Sequence, residues 1–439
     1  APDENGNVPL KWNNNNTLSI DQSYIEIPVG YYKCTVVAWV VDESSPIFEQ
    51  SFGIRVYGSA TTVISGDIME KVDSFVDFEV SQEDLVVFKG ASTMEVLSTP
   101  ANASDKVTTV DFGSSLEADK TYSLSVKSTT AAEAATKFTV SDGKAAVAGI
   151  DLTLTDTSDN KSVTSFRSEI TITTYIAPGL NKDNLKVLYG NDGKNYLVDY
   201  DSITGKLVFT TNHFSEYYVV ADAIASIGST GYAFLQDAID AAESGATVTL
   251  LCDASGDGIG LYKKPKNGQT ATKDITIDFN KHTYTIDGDL QGSTGTVTQA
   301  FHLEKDCTVI LKNGKLTSKK AKMLIQNYCN LTLDGMVLDF VESGFGYALS
   351  NNCGEVRIKD TTIKVAEGKI AFDSCKFGSY SIPTVTISGA SEIDGKIELS
   401  GGKLVCPETL KSKISYYAGF ESKYDTTIES GILTAEPLS

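Results

Sequence analysis

Phe301-His302-Leu303-Glu304-Lys305-Asp306-Cys307, Leu324-Ile325-Gln326-Asn327-Tyr328-Cys329, Ala348-Leu349-Ser350-Asn351-Asn352-Cys353 and Ile370-Ala371-Phe372-Asp373-Ser374-Cys375 read as four versions of one phrase, their cysteines 22, 24 and 22 residues apart. An apolar pair and a bend residue follow each one. Val309 and Leu311 precede Asn313-Gly314, Leu331 and Leu333 precede Asp334-Gly335, Val356 and Ile358 precede Asp360, and Val385 and Ile387 precede Gly389. The apolar pairs alternate with polar residues, so one face packs inward and the other meets water. Asn and Gly at the bends suit a positive φ. A period near 22 residues fits three short strands and three bends per turn, with successive turns stacked at about 4.8 Å, the ordinary interstrand spacing.

The same grammar extends back through Val248/Leu250 and Ile275/Ile277, with longer excursions at 253–273 and 288–299. Residues 225–439 are therefore expected to form a right-handed parallel β-helix within an all-β chain. Phe234 to Ala242 carries helical periodicity and stops at Gly245, which predicts an N-terminal capping helix over the first turn. Cys307, Cys329, Cys353 and Cys375 share parity with the core positions that follow them. Seven cysteines outside the cell ordinarily suggest disulfides, but parallel Cβ vectors on stacked strands fit a disulfide poorly. The expectation is a four-rung ladder of buried, reduced thiols. No metal is expected, since no Cys-x-x-Cys occurs and no histidine adjoins the stack.

Upstream, residues 1–58 form a polar, Asn-rich leader followed by strand-like runs such as Tyr31 to Val41, and are expected to contribute to a sandwich. From 59 to 224, strands of five to eight residues alternate with turn signals, as in an antiparallel β-sandwich. The clearest predicted hairpin joins Leu185–Tyr189 to Asn195–Val198 through Asn191-Asp192-Gly193. The stretch Ser59 to Ile68, the strand Ile170 to Tyr175, this hairpin, and the run Gly205 to Val220 with its closing Thr211-x-His213-Phe214-Ser215-x-Tyr217 together resemble a β-sandwich module that recurs in large surface proteins of anaerobic bacteria. That resemblance implies a structural spacer, with His213 structural. Tyr232 to Ala242 followed by Gly245 resembles the entry to pectin esterase-like and pectate lyase-like β-helices.

Net charge is −20, with most of the acidic excess before residue 225, and the only arginines are Arg55, Arg167 and Arg357. Such a surface repels phosphate backbones, so no nucleic-acid partner is expected. No apolar run is long enough to span a bilayer as a helix. The chain opens at Ala1-Pro2-Asp3, as a mature secreted protein would, which sets the expectation of a secreted or cell-surface location.

The catalytic residues of the resembled superfamily are not matched. Its lyases gather carboxylates around calcium beside a basic residue, and its polygalacturonases set aspartates around Gly-His-Gly. Here His282 and His302 lack glycine flanks, and Arg357, in Val356-Arg357-Ile358-Lys359, has outward parity without the paired-aspartate motifs. Asp253 to Gly258 begins like a calcium loop but places Lys264 where a bidentate Glu belongs. Asp287-Gly288-Asp289 reads as a turn, and Asp334, Asp339 and Asp360 as solvated face and bend residues. No catalytic, cofactor-binding or metal-ligating residue is therefore assigned. Phe345, Tyr347, Phe377, Tyr380, Tyr416, Tyr417, Phe420 and Tyr424 cluster late in the chain, either to stack on sugars or to cap the last turn. The expected function is that of a monomeric, non-catalytic, adhesin-like surface protein binding glycans or host macromolecules. The alternative is a polysaccharide lyase or glycoside hydrolase of the pectate lyase-like superfamily.

Overall fold

A computed structural model describes residues 108–439, apart from 118–119, 139, 141–142, 191, 264–269, 293–295 and 439; before 108 it describes only the backbone of scattered strands. Most of the predicted leader, the Ser59 to Ile68 motif and Lys264 thus lie outside the described residues, although Leu10–Trp12 pairs antiparallel with Leu18–Ile20, and Gly30–Ala38 with Phe48–Val56. The chain is mostly β, with both antiparallel and parallel sheets. It divides into two compact units, one holding Ala1–Phe138 and Ala148–Val219, the other Thr139–Val147 and Val220–Ser439.

Residues 108–222 contribute to two antiparallel sheets, which lie mostly in the first unit. One carries Thr121–Thr129, Lys144–Asp156, Lys186–Tyr189 and Glu216–Asp222, and the other Thr108–Asp111, Ser165–Tyr175, Leu197–Tyr200 and Lys206–His213. Period-two burial along these strands turns Leu124, Leu152, Leu154, Ile172 and Phe209 inward. Phe209 and Tyr217, one from each sheet, have ring centroids 5.1 Å apart. The predicted hairpin at 185–198 does not form as such, because Lys186–Tyr189 and Leu197–Tyr200 join different sheets. The buried Tyr196 ring, 5.5 Å from Tyr217, carries the chain from one sheet to the other, and its hydroxyl donates to Asp192 in the intervening turn.

In the second unit the chain passes alternately between two parallel ladders. One runs through Ala246–Leu250, Ile275–Asp278, Thr308–Thr317, Asn330–Phe340, Glu355–Lys359, Thr384–Ser388 and Lys403–Pro407, and the other through Ile259–Tyr262, Gln299–Leu303, Met323–Asn327, Leu349–Asn351, Ile370–Cys375, Lys396–Ser400 and Ile414–Tyr416. The register stacks Val248, Ile277, Leu311, Leu333, Ile358 and Ile387 in one buried column. Ile259, Phe301, Ile325, Leu349, Phe372 and Ile397 form another. The predicted bends fall in register too. Asn313, Gly335, Asp360 and Gly389 all have positive φ, between 49° and 65°.

Both ends of the first ladder are closed by antiparallel hairpins, Ala225–Ile227 with Thr230–Tyr232 at the start and Tyr424–Glu429 with Ile432–Pro437 at the end. The helix Leu235–Ala241 buries Leu235, Ala238 and Ile239 in the core of this unit, where the sequence expects a capping helix. Lys273 Nζ donates to the carbonyls of Ile239, Asp240 and Ala242 at 2.9–3.0 Å, satisfying acceptors that the helix end leaves open.

Polar side chains stack inside as well. Asn327 and Asn351 are both fully buried, and Asn327 Nδ2 donates to Asn351 Oδ1 at 3.4 Å. Asn351 Nδ2 donates in turn to the Asp373 carbonyl at 2.9 Å, while Asn327 Oδ1 accepts from the Cys329 backbone at 3.1 Å. Each amide thus links one turn of the repeat to the next, and its loss orphans buried groups on its neighbours. Asn351→Ala is expected to cost about 2–4 kcal/mol in urea unfolding, whereas Arg357→Ala, on the wet face, should change stability by no more than about 0.5 kcal/mol.

Candidate functional site

The two ladders meet at a row of corners: Glu304 to Cys307, Tyr328-Cys329, Asn352 to Gly354, and the longer Lys376 to Pro383. A pocket of about 600 Å³ opens along them, lined by Lys305, Cys307, Tyr328, Cys329, Cys353 and Tyr380, among others. The corners are tight. At Gly354, φ is +86° and an added Cβ would lie 2.3 Å from the Cys329 carbonyl oxygen, so a side chain there would push the wall apart.

Three cysteines of the expected ladder stand in this wall as free, buried thiols: Cys307, Cys329 and Cys353. Their sulfurs donate to Glu304 O at 3.3 Å, Asn327 Oδ1 at 3.1 Å and Tyr328 O at 2.8 Å. The fourth rung is corrected. Asn351 pairs with Ser374, so Cys375 aligns with Asn352 rather than Cys353, and it is only partly buried. The interval of 22 residues conceals this one-position slip, because the preceding corner has a different length.

Aromatic rings border the pocket. Tyr328, Phe377 and Tyr380 form a trio with centroids 5.8–5.9 Å apart, and Phe377 is half exposed. Lys305 Nζ lies 5.1 Å from the Tyr380 centroid, within cation–π range. On the other side of Tyr328, His302 stacks on Tyr262 at 4.9 Å. The late aromatics of the sequence therefore separate into two groups. Tyr380 lines the pocket with Phe377 packed against it, whereas Tyr424 packs on the core and its hydroxyl donates to the Gly402 carbonyl at 2.7 Å, next to Tyr416.

Behind the pocket, the outward row of the second ladder is polar yet largely covered: His302, Gln326, Ser350, Asp373 and Glu398 lie in register. His302 Nδ1 is 3.0 Å from Gln326 Oε1, and its Nε2 is 3.6 Å from Glu304. Burial pushes the Asp373 carboxyl up to about 7, and Glu398 beside it acts in the same direction, against hydrogen bonds from Ser350 and the Asn351 backbone. Tyr347, at φ +62°, donates its hydroxyl to Glu398 at 3.1 Å.

The other residues weighed in the sequence are held in ordinary structural pairings. Arg357 is exposed and bonds Glu355 at 2.9 Å. His282 lies 3.4 Å from Asp253, whose carboxylate also accepts from the Thr283 backbone. Asp257 accepts from the Asp289 backbone at 2.7 Å. Asp334 pairs with Lys359 at 3.3 Å, Asp339 with Lys315 at 2.7 Å, and Asp360 accepts from the Ala390 backbone, so these carboxylates do not converge. His213 Nδ1 sits 2.6 Å from Thr211 and 2.8 Å from the Tyr217 hydroxyl, which ties the recurrent closing motif together. Among the described residues, no group of three or more His, Cys, Asp or Glu side chains is arranged to hold a metal ion, and no helix is long and apolar enough to cross a membrane. The chain matches no family model, no curated protein and no solved structure.

Sequence reasoning missed the pocket. Lys305, Tyr328 and Tyr380 are brought together only by the unequal corner lengths. It also missed the Asp373–Glu398 pair, because Gln326 and Ser350 stand three residues before their cysteines and Asp373 only two, so the row aligns in the structure and not in the spacing.

The raised Asp373 carboxyl has a defined pH signature. A folded value near 7 against an unfolded value near 3.8 means that the folded state holds the extra proton between those limits, so its stabilisation is complete below pH 4 and lost as pH rises through 7. Asp373→Asn should remove this slope. Urea titrations at pH 5 and pH 8 should show the wild type losing on the order of 2–4 kcal/mol relative to the variant.

Proposed function

We propose that the second unit is a right-handed parallel β-helix and the first a β-sandwich spacer, and that the chain is a monomeric, secreted or cell-surface, adhesin-like protein that binds carbohydrate without transforming it. The observation that carries this reading is the Tyr328–Phe377–Tyr380 trio bordering a polar pocket beside Lys305. Aromatic faces offer sugar C–H groups a flat apolar platform, while Ser379, Ser381, Asn330 and Asp306 in the pocket wall supply hydroxyl partners. Antiparallel hairpins at both ends of the first ladder support a monomer, since they interrupt the parallel stacking that another copy would have to continue.

A glycan array is the direct test. Selective binding is expected, with Phe377→Ala and Tyr380→Ala each weakening it about tenfold or more and Arg357→Ala leaving it unchanged. Indifference to both aromatic substitutions would remove the pocket from the account.

One observation favours the enzymatic alternative: Asp373 and Glu398 are in-register carboxyl groups, one of them raised towards neutrality as a general acid would be. Against it, Asp373 is only 8% exposed and Glu398 is engaged by Tyr347. Pectin, alginate and glycosaminoglycans incubated with the protein should release no shortened or unsaturated products. Products that disappear with Asp373→Asn would establish the enzyme instead.

A further inference from the structure

We propose that the corner at 376–383 is a movable strap that, when it lifts, opens a second saccharide subsite on the outer face of the second ladder. The Tyr328 ring is its platform, and Asn352 Nδ2 is its hydrogen-bond donor to a sugar oxygen. The proposal rests on the carbohydrate-binding reading above and adds to it a contact outside the pocket wall.

Three observations carry it. The first is that the strap is paired only at its ends. Lys376 N donates to the Ser400 carbonyl at 3.2 Å and Lys403 N to the Pro383 carbonyl at 2.8 Å. Among the described residues, none from 377 to 382 bonds another turn through its main chain, and Tyr380 N donates to the Phe377 carbonyl within the strap itself. The second is that side chains hold the strap down in between. Tyr380 lies 5.1 Å from Lys305 Nζ and 5.8 Å from the Tyr328 ring, and the half-exposed Phe377 lies 5.8 Å from the same ring. The third is what the strap covers. Tyr328, Asn352 and Cys375 follow one another in register along an outward row. The strap leaves that row after Cys375 yet sets both rings on Tyr328, so it crosses the rung of Asn352. Although its row faces outward, Asn352 is only 6% exposed, and its Nδ2 is a buried donor with no hydrogen-bond partner among the described residues.

A buried donor without an acceptor carries a desolvation cost of the same order as the ring contacts that hold the strap, so the strap is poised rather than locked. Gly378 lets it bend: φ is +54°, and a Cβ built there meets nothing within 4 Å, so the segment turns in open space. Beneath the strap the platform is already set, because Gln326 Nε2 donates to the Tyr328 hydroxyl at 3.2 Å. With the strap lifted, a sugar ring lays its C–H face on Tyr328. One of its hydroxyl oxygens accepts from Asn352 on the next rung, about 4.8 Å along the ladder. Phe377 and Tyr380 then close on the opposite face of the sugar. The group that destabilises the closed strap is thus the group that stabilises the bound sugar.

The experiment uses the full chain and two readouts: chymotrypsin nicking at Phe377 and Tyr380 without sugar, mapped by peptide mass, and binding on a glycan array. Asn352→Leu keeps the bulk and removes the donor. It should slow nicking about tenfold, because the closed strap no longer buries an orphan, with an unfolding midpoint no lower than that of the wild type. It should also weaken every glycan signal of the wild type about tenfold, which a purely structural Asn352 would not do. Lys305→Met, which frees Tyr380, should speed nicking several-fold and decides the strap even if Asn352→Leu fails to fold. A wild type that resists nicking at both positions until it unfolds, or nicks at the same rate as both variants, would overturn the strap. Wild-type glycan signals that survive Asn352→Leu would overturn the subsite and leave the carbohydrate reading standing. A wild type that binds no glycan would sink that reading and the subsite with it, while the nicking rates still decide the strap.

Discussion

Main-chain pairing between successive turns is the constraint on which the second unit depends. Every interior strand must satisfy its donors and acceptors from the strand one turn before and the strand one turn after. Because these pairings are parallel and in register, each residue stands over its counterpart, and the chain must repeat its chemistry or leave a mismatch in a column. Apolar columns result on the inside, and a column of positive-φ bends runs through Asn313, Gly335, Asp360 and Gly389. Charge alternates down the wet face as well. Asp278, Lys312, Asp334 and Lys359 lie in register, with Asp278 to Lys312 at 3.2 Å and Asp334 to Lys359 at 3.3 Å. Exposed pairs of this kind contribute little stability individually, but they leave the face around Arg357 locally neutralised.

The proposed site lies where the repeat is broken. The strands keep their register from one turn to the next, whereas the corners between the ladders differ in length, and the long corner at 376–383 brings Tyr380 against Lys305 and Tyr328 from earlier turns. A regular scaffold carrying an irregular corner is the usual way for loops to acquire a site without disturbing the core beneath them. The thiols occupy the same seam for a different reason. They are small enough to be buried where the backbone turns sharply.

The repeat was legible in the sequence because its signals are local: parity, bend residues and spacing report on neighbouring residues alone. Val309/Leu311 and Leu331/Leu333 could be aligned by eye, and so could the bends that follow them. The Leu235–Ala241 helix was legible for the same reason. What failed depended on corner length or on partners distant in sequence. Cys375 shares the interval of its predecessors but not their register, since a spacing does not record where in a turn an extra residue is accommodated. The turn at 191–193 reads as a hairpin, yet the buried Tyr196 ring takes the chain to another sheet. The Asn327–Asn351 bond and the Asp373–Glu398 pair were hidden because a polar residue in a strand reads as exposed until its surroundings are known.

The central claim is that ligand contact belongs to the corner pocket and not to the flat outer face of the ladders. Hydrogen exchange on the full chain, with and without the oligosaccharide that binds best, measures this directly. The account predicts added protection confined to the segments around Lys305–Cys307, Tyr328–Asn330 and Ser379–Ser381. Protection centred on the Glu355–Lys359 strand and its outward neighbours, with these corners unchanged, would contradict it.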